Sequence, residues 1–176
     1  MKVRNMVLCA MFAALLAVCA WISLPVADVA FTLQTFGVAL TLGLLGGKRG
    51  SAAIFVYLLL GAAGVPVFAG FRGGFGALLG ATGGYIAGFL LWSLVYWLVT
   101  ALWGQDKKIR LLGMALGLLV CYAFGTVWFY FGYLESSSAM GVGLILIKCV
   151  VPYLLPDAAK LAAAWLLTKK LKRFVE

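Results

Sequence analysis

Asp157 and Lys160 are the residues whose types and spacing most directly suggest chemistry, in the stretch PDAAKLAAAW. At i and i+3 on a helix they project from one face, and both fall in a stretch that is otherwise apolar. A charge at membrane depth costs about 2.5–3.5 kcal/mol on insertion scales. Opposite signs on one face lower that cost by pairing. An internal salt bridge would explain the pair without a ligand, and Asp157 directly after Pro156 also suits an N-cap or first-turn carboxylate. Lys160 has no such role. Together with a proline that opens the backbone, the pair suits a polar solute carrying both donors and acceptors.

Other candidates are less specific. Lys148 is read as snorkelling to a surface in preference to holding a ligand. Arg72 is the one base expected in the outer loops; it either attracts an anionic substrate or is an incidental surface arginine. Gly61–Gly84 (GAAGVPVFAGFRGGFGALLGATGG) holds nine glycines and Pro66, so it will not run as one straight helix. Such backbone at membrane depth must be satisfied by protein or line a cavity; the alternative is an outer loop. Gly76, Gly80, Gly84 and Gly88 form a bare stripe, for which helix packing is the favoured reading. Ala10, Ala13, Ala14, Ala17 and Ala20 form a small face early in the chain, which either packs internally or docks another membrane subunit.

Much chemistry is excluded. The chain has no histidine, which removes His-based acid–base catalysis and His metal ligation. Cys9, Cys19, Cys121 and Cys149 show no metal-ligand spacing and read as small buried hydrophobes. The stretch GLLGGKRGS at 43–51 lacks the first glycine of a P-loop and the Ser or Thr after its lysine. There is no dinucleotide fingerprint, zincin helix or nucleophile elbow, and Asp157 is the single embedded carboxylate expected. No catalytic or metal residue is assigned, and no cofactor is expected. A carrier or binding protein is favoured over an enzyme.

These residues need a scaffold, and composition says which kind. Of 176 residues, 65% are hydrophobic and 11% charged, far from a soluble domain; mean hydropathy is +1.12. The net charge of +9 would suggest nucleic acid in a soluble protein, but membrane proteins gather bases to fix orientation. Apolar runs predict spans at Met6–Leu24, Val29–Gly47, Ser51–Val65, Thr82–Trp103 and Leu111–Tyr133, and a last region from Ala139 to Thr168. Pro152 and Pro156 divide that region into a short segment, 139–151, and a helix beginning near Asp157. Lys2, Arg4, Lys48, Arg49, Lys107, Lys108, Arg110, Lys169, Lys170, Lys172 and Arg173 occupy alternate connections and hold 11 of the 14 basic residues. The other connections carry Arg72, Asp28 and Glu135. The expectation is one all-α integral membrane domain over 1–176, with six spans and both termini cytoplasmic.

Four motifs, in this order, resemble the BioY family of biotin-specific substrate-binding (S) components of energy-coupling-factor transporters. They are FTLQTFGVALTLGLLGGKRG at 31–50, YLLLGAAGVPVFAG at 57–70, GATGGYIAGF at 80–89 and LPDAAKLAAAWL at 155–166. The chain has Ala81 where the family commonly has proline in its GPTGGY stretch. The resemblance implies capture of biotin at the outer face of a prokaryotic cell membrane. It also implies assembly with a transmembrane coupling (T) subunit and two ABC-type ATPases. By the same resemblance Asp157 and Lys160 match the binding pair, Thr82, Gly83, Gly84 and Tyr85 the glycine-rich turn, and Gln34 and Thr35 the start of the second helix. Ala10, Ala13, Ala14 and Ala17 resemble the face that meets the T subunit. An S component for another vitamin, and an autonomous carrier without a motor, remain as alternatives.

Overall fold

The computed structural model describes residues 3–24, 31–134 and 141–175. The chain is almost entirely helical. Helix α1 (Val3–Trp21) leads into two short antiparallel strands, β1 (Ser23–Leu24) and β2 (Phe31–Thr32), with Ser23 paired to Thr32 and Leu24 to Phe31. Lys2, Asp28 and Glu135, used above to weigh the connections, lie outside the described residues. Helix α2 (Gln34–Ala62) follows; the Thr32 hydroxyl accepts from the Gln34 N–H at 3.3 Å and satisfies one donor of its first turn.

The sequence predicts two spans, Val29–Gly47 and Ser51–Val65, separated by a basic loop. Two helical segments do occupy 34–62, but they abut at Gly46 (φ 75°, ψ 179°) in place of the expected basic loop. A left-handed φ is cheap only for glycine, so the chain turns there without an intervening loop. The turn is a reversal. In a straight helix Gln34 and Tyr57 would lie about 35 Å apart at 1.5 Å per residue, yet their side chains share a buried hydrogen bond of 2.7 Å. Segments 34–45 and 47–62 therefore form a helical hairpin. Lys48 and Arg49 sit in the helix just after the turn, both exposed.

After α2 the glycine-rich segment forms a 3-10 turn (Ala69–Phe71), the short α3 (Phe75–Leu79) and the entry to α4 (Gly83–Trp103). It is anchored inward rather than left as a free loop. Phe68 is buried edge-on to Tyr57 at 5.6 Å, and a Cβ on Gly61 would fall 2.0 Å from its ring. Phe71 stacks on Trp21 at 5.1 Å, and the Trp21 indole donates to Pro66 O at 2.8 Å.

Helices α4 and α5 (Lys107–Leu134) pack as an antiparallel pair in which glycine on one faces a larger side chain on the other. Cβ atoms added at Gly84, Gly88, Gly117 and Gly125 would approach Trp128, Cys121, Trp92 and Tyr85 to 2.2, 2.8, 2.0 and 2.2 Å. Gly84 and Gly88 thus serve helix packing, while Gly76 and Gly80 line a cavity. Helix α6 (Val142–Cys149) ends at Val150 (φ −122°, ψ −54°), and α7 runs Val151–Val175.

This corrects the expected helix start near Asp157. The break lies at Val150, Pro152 occupies the first turn of α7, and Pro156 is inside the helix. A proline in the first turn forfeits an N–H that has no helical partner there. Asp157 is consequently neither an N-cap nor a first-turn residue. Four helices, α1, α2, α4 and α5, are long and apolar enough to cross a membrane. On α1, Ala13, Ala17 and Ala20 pack into the core, whereas Ala10 and Ala14 face outward with Met6, Val7 and Met11. Ala13 and Ala17 are therefore not surface residues and serve packing within the chain, leaving Ala10 and Ala14 as the exposed part of that face.

Candidate functional site

Tyr153, Asp157, Lys160, Ala164 and Thr168 are all buried, and their spacing makes them one inward face of α7. Asp157 is 3% exposed and Lys160 9%. Lys160 Nζ donates to Asp157 Oδ1 at 2.8 Å and to Thr32 O at 2.7 Å, and lies 3.9 Å from the centroid of the Phe31 ring. Thr35 Oγ1 donates to the same Oδ1 at 2.8 Å, while Tyr122 OH donates to Oδ2 at 2.5 Å. The pair is thus tied to β2, α2 and α5 at once. Burial of unpaired charge is costly, and these hydroxyl, carbonyl and ring contacts share the burden.

Beside the pair is a cavity of about 280 Å³, near the roughly 300 Å³ lower end of small-molecule sites. Asp157, Lys160, Thr35, Tyr122, Thr32 and Gln34 give it a polar end. Phe68, Ile86, Phe89, Leu118 and Tyr153 supply apolar and aromatic walls, and the glycine-rich segment supplies Ala69, Arg72, Gly76, Ala77, Gly80, Ala81 and Thr82. Its irregular backbone lines a cavity, the circumstance in which such backbone is tolerated at depth. Gln34 Nε2 donates to Tyr57 OH, whose own hydroxyl donates to Val67 O at 3.1 Å. Tyr85 OH lies 3.3 Å from Thr126 Oγ1.

Asp157, Lys160, Gln34, Thr35, Arg72, Thr82 and Tyr85 all border this cavity. Gly83 and Gly84 do not. A Cβ on Gly83 would fall 1.7 Å from Leu78 O, and one on Gly84 2.2 Å from Trp128 Cβ, so both are bare for packing. Arg72 is exposed, with Nε donating to Ala69 O at 3.2 Å. Lys148 is exposed and is not part of the lining.

The sequence reading missed Tyr122, Phe31, the Thr32 carbonyl and Tyr153. Tyr153 had a signal, lying one turn before Asp157 on the same face. Tyr122 had a weaker one, a lone hydroxyl in the apolar run LGLLVCYAFG. Two of the four cysteines, Cys121 and Cys149, also border the cavity.

Hydrogen bonds to a charged partner contribute about 1.5–3 kcal/mol each. Tyr122→Phe deletes one donor to Asp157 and changes little else in shape. Its thermal unfolding midpoint in detergent is expected to fall by several degrees. An unshifted midpoint would show that the 2.5 Å contact contributes nothing.

Buried charges facing a cavity with apolar walls, among four helices long and apolar enough to cross a membrane, define a membrane-embedded ligand-binding protein of the transport type. The chain belongs to the BioY family, whose model matches residues 1–176. It is 39% identical over 170 residues to the biotin transporter BioY of Thermotoga maritima, covering 97% of this chain and 96% of that one. To the probable biotin transporter BioY of Pyrococcus horikoshii it is 38% identical over 172 residues, covering 98% of each. Its fold is similar to a crystal structure of the S-component for biotin from an ECF-type ABC transporter. There the TM-score is 0.84 and the identity 23%, over 98% of this chain and 92% of that chain. The family and these relatives are transporters, not enzymes.

Proposed function

We propose that this chain is the biotin-binding membrane subunit of a prokaryotic vitamin importer. The observation that carries the proposal is the buried Asp157–Lys160 pair at the polar end of a cavity walled by apolar and aromatic side chains. Biotin has the matching polarity: ureido N–H and C=O groups, an apolar bicycle and a carboxylate tail. Lys160 Nζ uses two of its three donors within the protein. The third is available to a ligand oxygen, either that of the ureido ring or that of the tail. Asp157 accepts three bonds already, so a ureido N–H takes its remaining acceptor site or displaces the Thr35 hydroxyl. Tyr85 and Phe89 bury the thioether ring and chain. The names of the curated relatives support biotin as the ligand.

The finer topology belongs to the same proposal. Six spans arise when the two arms of the α2 hairpin and α7 are counted with α1, α4 and α5, and the basic residues then place both termini in the cytoplasm. The cavity opens to the outer face, where Arg72 meets the incoming carboxylate. Uptake is completed by a transmembrane coupling subunit and two ABC-type ATPases, with Ala10 and Ala14 of α1 on the docking face.

Titration of the purified protein with labelled biotin tests the ligand. Tight binding that is not competed by other vitamins is the expected result, and no saturable binding would refute the assignment. Expression beside a coupling subunit and ATPase pair tests the partners: copurification and ATP-dependent uptake are expected. Uptake unchanged without them would make the chain an autonomous carrier.

A further inference from the structure

A second cavity, of about 690 Å³, lies at the opposite end of the bundle. The first borders the start of α4 and the early turns of α7. The second borders Gln105, just beyond the end of α4, and Lys172 in the last turn of α7. Four cationic residues from four helices border it: Arg4 of α1, Arg49 of α2, Arg110 of α5 and Lys172 of α7. None of the described residues lining it is acidic.

Arg110 is the innermost of the four, at 9% exposed. Its Nε donates to Tyr96 OH at 3.2 Å, its Nη2 donates to Gly43 O, and its guanidinium lies 5.6 Å from the Trp165 ring centroid. All three partners are neutral. Two of its five N–H donors are used, and a buried cation without a counter-charge is costly. Bare backbone at Gly46 leaves room beside it, since a Cβ there would meet nothing within 4 Å.

We propose that this basic cavity binds the phosphodiester of an anionic phospholipid headgroup. Guanidinium forks match phosphate oxygens bidentately, and basic pockets between membrane helices are a known design for lipid headgroups. A lipid is favoured over a soluble anion by the surroundings. Leu102 and Trp103, at the end of α4, are 68% and 59% exposed, an apolar and aromatic rim at headgroup level on which acyl chains can lie.

The test is native mass spectrometry of the full chain in neutral detergent, titrated with phosphatidylglycerol or phosphatidylcholine. Retention of phosphatidylglycerol alone is expected. Arg49→Gln with Lys172→Gln removes two pocket cations without touching Arg110, and should weaken that retention about tenfold or more, since each base contributes roughly a factor of five. Lys107→Gln with Lys108→Gln removes the same charge outside the pocket and should leave retention unchanged. Equal losses in the two pairs, or no loss in the first, would overturn the proposal. So would equal retention of both lipids, or displacement of phosphatidylglycerol by millimolar inorganic phosphate, which would mark a soluble-anion site. Loss of a copurifying coupling subunit with lipid retention intact would assign the cations to a partner protein and overturn it equally.

Discussion

Asp157→Asn is expected to weaken biotin binding about tenfold or more, because a hydrogen bond to a buried charged group is worth about 1.5–3 kcal/mol. The substitution keeps the size of the side chain and removes its charge. Lys160 then loses its counter-charge and keeps neutral partners alone, among them the Thr32 carbonyl and the Phe31 ring. The new amide also puts an NH2 group on one of the two oxygen positions, opposite either the Tyr122 donor or the Thr35 and Lys160 donors. Breaking a buried ion pair from one side costs about 3–5 kcal/mol, so the variant should also unfold at a lower temperature.

Stability and binding are separated by a second variant. Asp157→Asn combined with Lys160→Met removes both charges and leaves no ammonium stranded. Replacing both members of a buried pair is often nearly neutral for stability. Thermal stability should therefore recover much of what the single substitution lost, while biotin binding stays at least as weak. Full affinity in the double variant would reduce the pair to an internal salt bridge and remove it from the site.

The pair itself was legible because its types are wrong for their surroundings: two charges on one face in an apolar run. Their partners were not. Thr35 and Tyr122 are 122 and 35 residues from Asp157 in the chain, and Thr32 is 128 from Lys160. Only tertiary packing sets those distances, and the Thr32 contact is a backbone carbonyl with no side-chain signature at all. Prolines correctly marked an interruption in the last region but not its position. Pro152 is accommodated in the first turn of α7, where its missing N–H has no helical partner, and Pro156 sits one turn further on, inside the helix. At Gly46 the opposite happened. A loop was expected from Lys48 and Arg49, but one left-handed glycine, Gly46, reverses the chain where two helical segments meet directly. The glycine stripe entering α4 was visible in sequence. Its complement on α5 (Gly113, Gly117 and Gly125) is likewise spaced in fours, but the rings it faces, Tyr96, Trp92 and Tyr85, are set only by packing.

Gly117→Val is expected to be strongly damaging although it lies outside the cavity lining. A Cβ at this position would sit 2.0 Å from Trp92 Cδ1 and 2.8 Å from the Trp92 carbonyl oxygen. Trp92 is fully buried, and the close approach of its backbone means that a rotamer change alone cannot clear the clash. Helices α4 and α5 must separate, which breaks the neighbouring Gly125–Tyr85 and Gly88–Cys121 fits and shifts one wall of the cavity. Overpacking a close-packed core costs about 1–3 kcal/mol and more where backbone must move. The expected results are a sharp fall in yield of folded protein from the membrane and loss of biotin binding in whatever survives. Gly132→Val is the control on the same helix: Gly132 is exposed, and a Cβ there meets nothing within 4 Å. Yield and thermal stability equal to wild type are expected for it. Equal tolerance of both substitutions, read by size-exclusion profile and thermal unfolding, would mean that the α4–α5 pair does not depend on interlocking glycines and aromatic rings.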